Sequence, residues 1–127
     1  MADRITCILV EAEQKPKVVQ LDNDLKSLQD AVGGYIEAVY PFDEDVGIIC
    51  NEDGVALGLP LNRALFVEGE LRDKGEMYDV IKGNFLVVGL TEEDFGSLTD
   101  EQLKKYFDRF ARPEYFIFLN GHLAVCK

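Results

Sequence analysis

Polar side chains set in apolar surroundings are where recognition chemistry is usually built, and this 127-residue chain has four that stand out. Asn51 closes the apolar run from Val46 to Cys50. Asn62 and Arg63 sit between leucines in the stretch from Gly58 to Leu65, and Tyr78 precedes the apolar run at 85–88. A planar guanidinium beside an amide and a phenol can hold a phosphate or a base edge through charge-assisted, bidentate hydrogen bonds. Arg63 is the only basic residue between Lys26 and Arg72, a stretch with seven acids from Asp30 to Asp53. A cation so isolated is either the recognition group for an anionic or planar ligand or a counter-ion for its own protein. The plainer alternatives are a turn-forming role for Asn62 and a surface ion pair for Arg63.

Catalytic material is scarce. A nucleophile needs a positioned base, and the one histidine, His122, follows an Asn-Gly turn signal, four residues before Cys126. The three cysteines, Cys7, Cys50 and Cys126, are each flanked by aliphatic residues and have no CxxC spacing. They are expected to be reduced, buried, structural thiols. No close His/Cys grouping suggests zinc, and the acidic clusters at 22–24 and 43–45 lack the spacing and terminal Glu of a calcium loop. The glycines form no phosphate-cradling loop. The chain is therefore expected to be no enzyme and to need no metal or cofactor.

Charge is the most unusual bulk property. There are 13 basic and 24 acidic residues, a net charge of −11. Residues 1–98 hold 8 basic and 20 acidic groups, against 5 and 4 in residues 99–127. A field of this sign repels nucleic acid and anionic membranes and favours basic partners. It is either a solubilising surface or an imitation of a polyanion. No apolar run approaches the roughly 18 residues of a membrane span, and Asp3 and Arg4 open no secretory signal. The expected compartment is the cytoplasm.

These residues must be positioned by a single α+β domain over 1–127. Ile5–Val10 and Lys17–Leu21 read as a hairpin, with the first strand central. Asp22 to Asp24 supply a helix cap, Leu25, Leu28 and Val32 share a helical face, and Gly33-Gly34 stops the helix. Residues 35–58 read as a three-strand meander: 35–40, 46–50 and, after an Asp-Gly turn, 55–57. The stretch from Gly58 to Leu65 reads as a loop or a short turn before Leu65, and 66–76 as a mobile or protruding segment. Residues 77–81 fit a helical turn or a strand equally, and 84–88 read as a strand. Thr99 and Gln102 form a capping box opening a helix over 99–111, with Leu103, Phe107 and Phe110 on its inner face and Tyr106 beside them. Glu114 to Leu119, Asn120-Gly121 and His122 to Cys126 read as a type I′ hairpin. The expected architecture is a mostly antiparallel sheet in the order ββαβββ…βαββ with two helices packed on it.

Residues 21–37, 49–54, 59–65, 78–89 and 95–102 together resemble a family of small proteins described only as a domain of unknown function, frequent in bacteriophages, plasmids and conjugative elements. The resemblance spans nearly the whole chain in consistent order. It implies company with antirestriction-type accessory genes and supplies no catalytic residue. Two readings follow. One is a non-enzymatic counter-defence protein that sequesters a nucleotide-type ligand or immune signal, at a pocket lined by Arg63, Asn62, Asn51 and Tyr78 in a homo-oligomer. The other is an acidic, DNA-mimic-like inhibitor of a host nucleic-acid-binding protein. Neither calls for direct nucleic-acid or membrane binding.

Overall fold

A computed structural model describes residues 4–66 and 77–126, with the side chains of Phe66, Met77 and Tyr78 outside the description. The antiparallel main sheet runs β2-β1-β7-β4-β3, formed by β1 (Arg4–Val10), β2 (Lys17–Asp22), β3 (Ile36–Val39), β4 (Val46–Asn51) and β7 (Phe85–Leu90). A short β8 (Phe95–Gly96) adds to β7. β5 (Leu61–Phe66) pairs with β6 (Met77–Lys82), and β9 (Tyr115–Leu119) with β10 (His122–Cys126), as separate antiparallel ribbons. The expected fold class holds.

The sheet is buried on both faces because its central strands carry long apolar runs, Cys7 to Val10, Val46 to Cys50 and Phe85 to Leu90. Strand periodicity sends Ile48 and Val87 to one side, and Ile49, Leu86 and Val88 to the other. On the second side lies α1 (Leu25–Val32), capped by the Asp24 side chain on Ser27 N and closed by Gly33 at φ 81°. It buries Leu28 and Val32 there. Leu25, expected on that face, is 58% exposed, as a residue in the first turn can be.

On the first side lie the β5–β6 ribbon and α2 (Asp100–Arg109), whose Thr99–Gln102 capping box is complete. Its buried residues are Tyr106 and, at the cap, Phe110; Leu103 and Phe107 pack at the margin. The expected inner face is thus rotated towards Tyr106, whose ring packs on Phe42 at 4.7 Å, tilted by 52°, while its hydroxyl reaches the Glu44 carboxylate at 2.7 Å. A tyrosine can occupy the core when its polar end finds such a partner.

Residues 55–57 are not a strand. They belong to a run of turns that leaves Val55 76% and Leu57 60% exposed. The third strand begins instead at Leu61, where a loop was expected. Gly58 and Pro60 punctuate the entry to β5, and a register shift between Leu61 and Arg63 breaks the alternation that would have marked it. The ambiguous 77–81 is strand β6. The segment at 67–76 lies outside the described residues. No described helix is long and apolar enough to cross a membrane.

Candidate functional site

The bulge in β5 turns both Asn62 and Arg63 inward, and neither is exposed to solvent. The Arg63 guanidinium donates from Nη2 to Gln14 O at 2.7 Å and to Phe110 O at 2.9 Å. Nε donates to Phe110 O at 3.3 Å, and Nη1 to Asn62 Oδ1 at 2.8 Å. Asn62 Nδ2 in turn donates to Val10 O at 3.0 Å and Gly83 O at 2.9 Å. Phe110 is the C-cap of α2, so Arg63 satisfies a terminal carbonyl and places its charge at the negative end of the helix. The buried Glu114 carboxylate accepts from Ala64 N at 2.9 Å. Burial pulls the Arg63 pKa down, while the charges of Glu114 and Tyr115 oppose that shift. These contacts tie β5 to the end of α2, to the β1–β2 turn and to the end of β1.

Asn51 works elsewhere. Its Nδ2 donates to Val32 O at 3.1 Å at the end of α1, and its Oδ1 accepts from Asp53 N at 2.8 Å. It borders a cleft of about 110 Å³ lined also by Glu37, Cys50, Glu52, Asp79 and Lys82. That is room for a few waters, well short of the roughly 300 Å³ at which small-molecule sites begin. Three carboxylates against one ammonium, itself donating to Val80 O at 3.0 Å, suit a phosphate poorly. A wider hollow of about 540 Å³ at the C-terminus of α1 is lined by Gln29, Asp30, Gly33, Gly34 and Tyr35, with no cation. The structure therefore brings Asn62 and Arg63 together, inside the fold, and places Asn51 apart from them. The side chain of Tyr78 lies outside the described residues. Among the described residues no buried side-chain nitrogen or oxygen lacks a hydrogen-bond partner.

The thiols divide. Burial pushes Cys7 and Cys50 up to about 11, leaving them protonated and unreactive at neutral pH. Cys126 is exposed, contrary to expectation, because it ends the outer strand of the terminal hairpin. Four residues of extended strand put His122 about 13 Å away along the chain, too far for a nucleophile–base pair. Among the described residues no group of three His, Cys, Asp or Glu side chains is placed to hold a metal.

The antiparallel pairing gathers acid that looks dispersed along the chain. The end of β2, the start of β1, the end of β7, the start of β4 and the end of β3 share one end of the sheet. Three connections meet there: 22–24, 40–45 and 91–94. They expose Asp22, Asp24, Asp43, Asp45, Glu92, Glu93 and Asp94. The turns are braced together, with Asn23 Nδ2 donating to Asp94 Oδ2 at 3.1 Å and Leu90 N to Asp45 O at 2.9 Å. Glu44 is held by Lys105, Tyr106 and Gln102 of α2, which keep its carboxyl below the ordinary range, the lysine most of all. This surface is not legible in the sequence. Its only signal was three short acidic turns, and their shared location depends on strand order.

No curated protein and no solved structure matches the chain. The model of the family described as a domain of unknown function, DUF3846, matches residues 5–111, which takes in all of the main sheet but Arg4, both helices, and Asn62 and Arg63. The chain belongs to the DUF3846 family.

Proposed function

We propose that this protein is a non-enzymatic accessory protein of mobile elements. In this reading it works in the bacterial cytoplasm by docking its acidic end on a basic, nucleic-acid-binding surface of a host defence protein. The observation that carries the reading is the convergence of the three acidic turns at one end of the sheet, seven exposed carboxylates in all. A concentrated negative field on a rigid scaffold raises association rates with basic surfaces and competes with phosphates for them. The small-ligand reading has less support. Its intended anchor, Arg63, uses its donors on backbone carbonyls and Asn62, and a ligand reaching it would have to displace the end of α2.

The test neutralises the acidic end without touching its structural contacts. A variant carrying Asp43→Asn, Asp45→Asn, Glu92→Gln and Glu93→Gln keeps Asp24 and Asp94, which cap and brace. A host partner captured by the native protein should bind this variant roughly ten- to a hundredfold more weakly. Its affinity for the native protein should fall steeply with salt. Equal affinity for both proteins would remove the acidic end from consideration.

A further inference from the structure

The terminal hairpin is unlike the rest of the molecule. Residues 115–126 contain no Asp, Glu, Lys or Arg in a chain of net charge −11. Neither of its strands pairs with another sheet among the described residues. Alternation puts Tyr115, Ile117 and Leu119 on one face with their cross-strand partners Cys126, Ala124 and His122. Tyr115, Ile117 and Leu119 are 51%, 44% and 56% exposed. Isolated two-stranded ribbons are marginal in water, and an apolar face of this kind is a contact surface.

We infer that this face is covered by the same face of a second copy, forming a two-fold homodimer. Two observations select that occupant, and a third sets how tightly it binds. The first is shape: the central cross-strand pair is Ile117 beside Ala124, a large residue next to a small one. A two-fold axis through the pair sets each copy's Ile117 on the other's Ala124. The second is charge. The uncharged face offers nothing to a partner chosen by charge, and it roots beside the β1–β2 turn, in a groove lined by Glu13, Pro60, Leu61, Glu114, Tyr115 and Phe116. That is the end of the sheet opposite the acidic turns, so two copies meeting here keep their acidic ends apart. The third is area. Tyr115, Ile117 and Leu119 are each only about half exposed, so two such faces together bury less than the roughly 1,000 Å² of a stable specific interface. The association is accordingly weak and reversible, and it makes the acidic surface bivalent.

Sedimentation equilibrium over a concentration series tests this. The native chain should be a reversible dimer that tightens as salt screens the acidic bodies. Ile117→Lys should weaken association roughly thirtyfold or more, as for the centre of an interface, with circular dichroism unchanged. Leu119→Lys serves the same purpose should the first variant fold poorly, and Phe118→Lys, on the opposite face, should remain dimeric. A native chain that stays monomeric throughout would overturn the inference and leave the face to a different protein. So would association that weakens with salt, or a folded Ile117→Lys or Leu119→Lys variant as dimeric as the native chain.

Discussion

The Asn62–Arg63 cluster and the acidic end treat charge in opposite ways. In the first, a single cation is stripped of water and repaid by hydrogen bonds to three backbone carbonyls and an amide oxygen. In the second, seven carboxylates stay in water, with Arg4 beside Asp22 and Lys26 near Asp24 as partial counter-charges. The buried cation organises four chain segments around itself, so its contribution is to stability. The solvated anions contribute little to stability, because exposed charges are screened, and they remain available to a partner. A conspicuous charged residue is thus a poor pointer to function until its donors are counted.

The sharpest way to break the comparison is Arg63→Ala. It removes the cation and leaves the Phe110 and Gln14 carbonyls facing a void beside Glu114. The expected loss is about 3–5 kcal/mol, as for removal of one member of a buried polar set. Urea denaturation measures it, and a loss under about 1 kcal/mol would return Arg63 to the surface. On the same side of the sheet, Tyr106→Ala should cost about 3–5 kcal/mol, and Phe107→Ala, at the margin of the core, about 1–2 kcal/mol. The reverse order would mean that α2 is rotated from its position here.

A gentler probe lies between the two regions, at Glu44. Lys105, then Tyr106, hold its folded pKa below the unfolded value. A depressed carboxyl contributes stability that is present above the unfolded pKa, near 4.5. That contribution is lost as pH falls through the folded value. The melting temperature should therefore decline below about pH 4.5, and Glu44→Gln should flatten part of that decline. An unchanged acid profile in the variant would show that the Glu44 contacts add nothing to folding.

What could be read from the sequence was local. The Thr99–Gln102 box, the Gly33 stop and the Asn120-Gly121 turn each act within four residues, and each appears where expected, Asn120 at φ 53° and Gly121 at φ 81°. β5 was missed because its bulge erases the period by which strands are recognised. The same bulge is why Arg63 points inward, so one irregularity hid both the strand and the role of its charge. The acidic end was illegible for another reason. Asp24, Asp43 and Glu92 come to share one end of the sheet only through the order β2-β1-β7-β4-β3, which no local pattern encodes.

The central claim is that the interior cation serves the fold and the acidic end serves the partner. It is tested by measuring the proposed counter-defence activity per folded molecule, as protection of an incoming phage or plasmid, for two variants side by side. By this measure Arg63→Ala should keep full activity, its total activity falling only with its unfolded fraction. The variant with Asp43→Asn, Asp45→Asn, Glu92→Gln and Glu93→Gln should keep its stability within about 0.5 kcal/mol and lose most of its activity. A folded Arg63→Ala protein without activity, beside a fully active acid-neutralised one, would contradict the account.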